Sequence, residues 1–429
     1  MRWIVDEVDD LISVGVISTE SGAALRRHYE QKLAQEESGS KTLLLSVLGA
    51  ALIGAGVILI IAHNWDDLGR PARTALSLLP LLVGFILSLW TLLKRAGSTA
   101  WREGAGVAHC AGVAASIALV SQTYHISGEL SDFLFTWLLL ILPLPYLLRA
   151  VMPALIYLAG IAVWAMTVAV NFGGPHGSSD GYWLFLAAIL PFCWAAIKQD
   201  RLGKVASWIS AFVGISALFG LGFTSSHTGH ELWIPAFAGL LGVEYFAGVL
   251  LFPERRYTPL RVIGGFGAGF LGVLLAFKGI WPCHPIDWAK VRWLEYGLAI
   301  GFPLASLAFL ARAVREKADF NGFAAALPIV AWVAFGIFSM HGPNALLAAA
   351  LVFTAYTFVL ALGTVFRGLK QRAVATLNGG LLILMALMIS RFVDSEFSIL
   401  ARGLAFVILG SLILAANLWL LKTKREAKA

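Results

Sequence analysis

Apolar runs long enough to cross a bilayer recur along almost the whole chain, and that recurrence fixes most of what the chain can become. From Thr42 onward about fourteen segments follow one another: 42–62, 74–93, 104–121, 133–148, 151–170, 182–197, 205–223, 232–252, 262–281, 294–311, 323–340, 344–366, 373–390 and 403–421. A helix needs ~20 apolar residues to cross ~30 Å of hydrocarbon. Lipid offers no partner to an unpaired peptide group, so each run is read as a helix. The segments at 133–148 and 182–197 are short, and Pro143, Pro145 and Pro153 crowd the region 133–170. A broken or re-entrant pair is one expectation there. The predicted fold is an all-α polytopic transmembrane bundle of about fourteen spans over residues 42–421. A cytoplasmic helical hairpin at 1–41 precedes it and a basic cytoplasmic tail at 422–429 follows.

Composition agrees. The 429 residues are 59% hydrophobic and 13% charged, where a soluble chain would carry about 25% charged residues. One membrane domain therefore replaces the two or three soluble domains that length alone suggests. The formal charge of +7 does not call for nucleic acid, because its placement has a topological explanation. With the N-terminus inside, 25 of the 32 Lys and Arg fall in inner segments, 6 in outer loops, and Lys278 within a span. An asymmetry that alternates loop by loop supports both the span count and the orientation, with both termini cytoplasmic in a bacterial inner membrane. The outer side receives seven of the nine histidines, His63, His125, His176, His227, His230, His284 and His341, and acids including Asp66, Asp67, Glu129, Asp132, Asp180 and Glu295.

Before the first span, Val5, Val8, Leu11 and Ile12 share one helical face. Gly15 is a helix stop, and Ser18 or Thr19 opens a second helix that runs through Leu33. Cys110, Cys193 and Cys283 are odd in number and imply no disulfide framework. No cleavable signal peptide is expected, since a charge-bearing stretch of some forty residues precedes a first apolar run too long for an h-region.

The ionisable and polar residues at span ends are the candidate site. His63-Asn64-Trp65-Asp66-Asp67 closes the first span. It can cap the helix and anchor at the interface, or it can bind a cation or headgroup and supply a catalytic acid from Asp66 or Asp67. Gln122, Tyr124 and His125 close the third span; a buried Gln122 would need a hydrogen-bond partner, and Gly128 suggests a tight turn. Glu244 stands deep in the 232–252 run, where an ionisable group is by default a functional candidate. About nine residues of rise, roughly 13 Å, separate it from Lys278, too far for a direct pair. His109 is read as a hydrogen-bonded core histidine. His227 and His230 with Glu231 are a weak metal candidate, because their surroundings look like a loop. Gly265 and Gly269, four apart within a span, are read as a helix–helix contact surface. No phosphate loop, metalloprotease motif, nucleophile elbow or Cys/His cluster is present, so no cofactor is expected.

Ala62-His63-Asn64-Trp65, Gln122-Thr123-Tyr124-His125 and the N-terminal hairpin resemble the bacterial membrane proteins of domain-of-unknown-function family 2157. The likeness covers about residues 1–150. Arg391-Phe392-Val393-Asp394 and Leu400-Ala401-Arg402-Gly403-Leu404-Ala405-Phe406, with Gly410, are similar to the closing segment of the family, over 390–415. The resemblance implies a polytopic membrane protein and no particular activity.

Three functions fit this sequence. The first is a transporter or flippase of a small or lipid-linked envelope substrate through an outer-facing cavity, with His63, Asn64, Trp65, Asp66, Gln122, Tyr124, His125 and Glu244 along the path. The second is an outer-face membrane enzyme acting on a lipid-linked substrate. The third is an envelope sensor or assembly partner that meets a cytoplasmic protein through residues 1–41. Membrane lipids are partners in each, and nucleic acid in none.

Overall fold

The computed structural model describes residues 8, 11–12, 18–27, 68–170, 179–199, 201, 203–225, 232–255, 257–281, 288 and 291–394. It also describes 403, 404, 407, 410, 411 and 414 singly. The predicted span at 42–62 and nearly all of 403–421 lie outside these residues, as do the 63–67 motif, His227, His230, Glu231 and Cys283. The chain divides into two compact units, 1–76 and 77–429.

Among the described residues the chain is all helical. The helices are α1 (Arg70–Lys94), α2 (Thr99–Tyr124), α3 (Leu130–Ile141), α4 (Pro143–Leu148), α5 (Val151–Val170), α6 (Tyr182–Gln199) and α7 (Lys204–Ser225). They continue with α8 (Trp233–Leu251), α9 (Pro259–Leu275), α10 (Trp293–Arg315), α11 (Gly322–Ala325), α12 (Leu327–His341), α13 (Leu346–Lys370) and α14 (Val374–Asp394). Ten are long and apolar enough to cross a membrane, counting 130–148 as one, and α9 and α12 are shorter apolar helices. Each of the twelve predicted spans between 74 and 390 thus has its own helix.

The proline-rich stretch is broken but not folded back. Leu142 keeps right-handed helical angles, and Pro143 restarts the helix at its first position, where its missing N–H costs nothing. The pieces together make 19 residues, Leu130–Leu148, and α5 follows with 20. The 182–197 segment is extended by a 3₁₀ turn to Ser179–Gln199, 21 residues.

Packing is inverted relative to a soluble bundle. Helix α1 buries Ser77, Gly84, Ser88 and Thr91 and exposes Leu82, Phe85, Ile86 and Leu93 at 51–70%. In water this would leave the hydrophobic face unburied; in lipid it is the expected arrangement, with small residues joining helices and large apolar ones facing the acyl chains. Ser77 Oγ and Thr123 Oγ1 lie 3.2 Å apart across the α1–α2 seam, and Ser116 Oγ accepts from the Leu81 N–H at 3.1 Å. Glycines elsewhere seat against prolines of the neighbouring helix. A Cβ on Gly106 would stand 2.5 Å from the Pro153 ring, and one on Gly239 would overlap the backbone of Pro303.

The connections sort into two ends. At one, Glu103 accepts the Val151 and Met152 N–H groups at 2.8 and 2.7 Å, capping α5 from α2. At that end Arg201 donates to Leu250 O at 3.2 Å, Arg255 to Ser207 Oγ at 3.0 Å, and Arg367 pairs with Asp319. Tyr257 OH meets Thr376 Oγ1 at 2.9 Å. At the other end Ser179 Oγ donates to Phe223 O at 3.1 Å, and Arg292 reaches both Asp180, at 2.8 Å, and Thr224 O, at 2.5 Å. Each bond joins connections that the Lys/Arg count assigns to one side.

In the first unit, Ser18 N-caps the second helix: its Oγ accepts the Ser21 N–H at 3.2 Å, and Gly22 N donates to Ser18 O. A Cβ on Gly22 would stand 2.5 Å from Ile12 Cδ1, so glycine admits the first helix, whose Val8 is buried.

Candidate functional site

Helices α1, α2 and α3 line an open groove of about 670 Å³, a volume in the range of ligand sites, roughly 300–1,000 Å³. Its mouth is the α2–α3 connection, with Ser121, Ser127, Glu129 and Asp132. Its walls are apolar, with Leu78, Leu81, Val113, Ile117 and Leu140, and His109 stands at its deep end. From Ser121 to His109 is twelve residues of one helix, about 18 Å of rise. The space is therefore a long groove, most polar at the mouth and mainly apolar along its length, where Ser116 and Thr136 also line it.

Close packing and hydrogen bonds fix the residues at the two ends of the groove. His109 packs its backbone on Gly84, where a Cβ would stand 2.7 Å from His109 Cα, and its Nδ1 lies 3.0 Å from Ser88 Oγ. That contact fits a hydrogen-bonded core histidine, and the residue also lines the groove. At the mouth Glu129 N-caps α3 in a capping box with Asp132, whose Oδ2 accepts the Glu129 N–H at 3.2 Å. A motif of two acids three apart before an apolar run was the available signal for this cap.

The residues singled out at the end of α2 are placed differently from the expectation. Gln122 is exposed, so it has no buried amide to satisfy. The buried residue is its neighbour Thr123, which donates to Leu119 O at 2.7 Å and meets Ser77. A one-residue step along a helix turns the side chain by about 100°, which separates the two. Tyr124 and His125 are also exposed. The tight turn falls on His125, not Gly128: His125 takes the left-handed conformation, φ 52 and ψ 41, and its N–H caps α2 on Ser121 O.

Glu244 lies elsewhere, on α8 where α7 and α9 meet it. It is 4% exposed. Among the described residues neither carboxyl oxygen has a hydrogen-bond partner, and no ion pair with Lys278 forms. Opposite it stands Gly214 of α7, whose added Cβ would lie 3.5 Å from Oε1 and 3.1 Å from Leu260 and Ile263 side-chain carbons of α9. The structure thus does not gather Gln122, Tyr124, His125 and Glu244 into one path; the first three close α2, and the last is a separate intramembrane carboxyl.

On α9 the closest backbone approach is at Gly264, where a Cβ would stand 2.5 Å from Leu241 O. Gly265 only touches the Tyr245 ring, at 3.7 Å, while Gly269 meets Ile383 of α14 at 2.9 Å. Sequence reasoning also missed the Arg292 node, in which Nε bonds Glu295 Oε1 at 3.0 Å beside the Asp180 pair. Asp180, Arg292 and Glu295 were visible only as scattered outer charges. No group of three His, Cys, Asp or Glu able to hold a metal occurs among the described residues. Cys110 and Cys193 are buried free thiols.

Helices that bury serine and glycine, expose leucine and phenylalanine, and segregate their connections into two ends define a multi-pass membrane protein. Residues 9–154 match the family described as predicted membrane protein (DUF2157). The match contains all three helices of the groove and stops short of the 390–415 likeness. Neither the curated proteins nor the solved structures contain a match to the chain.

Proposed function

We propose that the protein is a transporter or flippase that moves an amphiphilic envelope substrate, small or lipid-linked, along the α1–α2–α3 groove. The observation that carries this reading is the groove's polarity gradient. Serines and two carboxylates stand at the mouth, and mainly apolar walls, interrupted by Ser116 and Thr136, run inward for about 18 Å toward His109. A molecule with a polar head and an acyl or prenyl tail fits that order.

The same reading puts the chain in the bacterial inner membrane, with the basic end and both termini in the cytoplasm and the mouth on the outer face. The exposed helix at 19–27 would then be available to a cytoplasmic partner.

The test is made in proteoliposomes carrying a phosphatidylcholine with a fluorescent head, scored by an impermeant quencher. Ala118→Trp fills the groove from an exposed position and should slow protein-dependent movement at least tenfold. Ala111→Trp, exposed on the same helix outside the groove, should leave the rate unchanged. Equal rates in the two variants, or no movement above empty vesicles, would remove the reading.

A further inference from the structure

Glu244 takes no part in the groove, and its setting asks for a ligand of its own. An ionised carboxylate removed from water with no partner costs a large share of a domain's net stability. Structures keep such a group only when something offsets that cost or when the charge is absent. The packed elements offer no counter-charge. Tyr182 of α6 has its hydroxyl 2.9 Å from Ser216 Oγ. Tyr245, the next residue on α8, accepts the Asn321 N–H at 2.7 Å. Arg261 of α9 lies against Gly248, one turn along. Among the described residues none of these bonds either Glu244 oxygen. The wall facing the carboxyl is a glycine, Gly214, flanked by the apolar side chains of Leu260 and Ile263.

We infer that Glu244 is an intramembrane proton-binding site. Its carboxyl holds a proton while α7, α8 and α9 pack as described, and gives it up when α7 withdraws and water reaches the group. In that step the O–H bond breaks, the proton passes to water, the carboxylate keeps the electron pair, and nothing is oxidised or reduced. At Gly214 itself no side chain stands between the α7 backbone and the carboxyl, so withdrawal there opens a path to it once the bonds of Ser216 to Tyr182 and Leu158 O are released. The binding of the proton does not rest on the groove reading; only its coupling to substrate movement does.

The experiment is infrared difference spectroscopy of the full chain in lipid nanodiscs, in light and heavy water. The wild type should show the carbonyl stretch of a neutral carboxylic acid, shifted by deuterium exchange. Glu244→Gln should lose that band, and Glu244→Asp should retain it at a displaced frequency. Circular dichroism checks that each variant is folded. Should Glu244→Gln fail to fold, the displaced band of Glu244→Asp alone makes the assignment. Spectra of wild type and variants that coincide in this region would show an ionised carboxylate and overturn the inference.

Coupling is read in the same proteoliposomes under an imposed pH gradient. The gradient should change wild-type lipid movement severalfold and leave Glu244→Gln indifferent at its basal rate. A wild type indifferent to the gradient would overturn the coupling. Absence of any lipid movement would remove the groove reading while the infrared band still decided the proton site.

Discussion

At the scale of the residue, His125 separates a side chain's role from its backbone's. An L residue in the left-handed region costs about 1 kcal/mol, which glycine does not incur. The imidazole is exposed, while the N–H caps α2. His125→Gly should therefore raise the stability of the detergent-solubilised protein by up to about 1 kcal/mol, and His125→Val should lower it, since a branched side chain tolerates that conformation least. Thermal unfolding measures both. A glycine variant as unstable as the valine one would mean that the ring makes a contact worth more than the strain. The residue scale is also where the sequence was least legible. It marked the neighbourhood of residues 122–125 correctly as a span exit. It could not say which neighbour would be buried, because that depends on helix phase against α1, and the chain states no phase until its partner is known. Glu244 was legible, since a carboxyl in an apolar run stands out without any partner; the glycine opposite it was not.

At the scale of the element, glycine has two opposite meanings that only packing distinguishes. Gly239 on α8 lies on Pro303, and Gly301 on α10 has nothing within 4 Å of its would-be Cβ. Alanine at Gly239 must push two helices apart, at a cost of about 1–3 kcal/mol. Alanine at Gly301 should stabilise by roughly 0.5–1 kcal/mol, because it restricts the unfolded chain and favours the helix. Thermal unfolding of the two variants in one detergent compares them directly; equal effects would mean that the α8–α10 seam is not packed as described. The helices themselves were largely written in the sequence, because length and hydropathy suffice in a solvent that forbids other backbone states. The break at Leu142–Pro143 was legible as prolines, though its outcome was not. Pro143 can restart a helix or turn the chain back, and the right-handed angles of Leu142 decide between these.

At the scale of the whole molecule, the weave through the membrane rests on two independent observations. One is the Lys/Arg asymmetry of the loops, and the other is the set of bonds that ties loops of one class together, such as Glu103 to the start of α5 and Arg367 to Asp319. The first needs no structure and the second needs no bilayer, and none of the bonds named joins a connection of one class to a connection of the other. Cysteines placed singly at Gly97, Ser127 and Gly322, all exposed, in a chain without its own thiols, test the result with an impermeant maleimide on intact cells. Ser127→Cys should react from outside, whereas Gly97→Cys and Gly322→Cys should react only after permeabilisation. Gly97 and Ser127 flank α2 alone, so equal labelling of that pair would mean α2 does not cross. Gly97 and Gly322 are separated by eight crossings, an even number, counting 130–148 as one. Labelling them on opposite sides would mean that one intervening helix lies in the membrane without spanning it. Every charge beyond it would then face the wrong compartment, which the alternation of basic loops disfavours at about 1 kcal/mol for each Lys or Arg near an anionic inner surface.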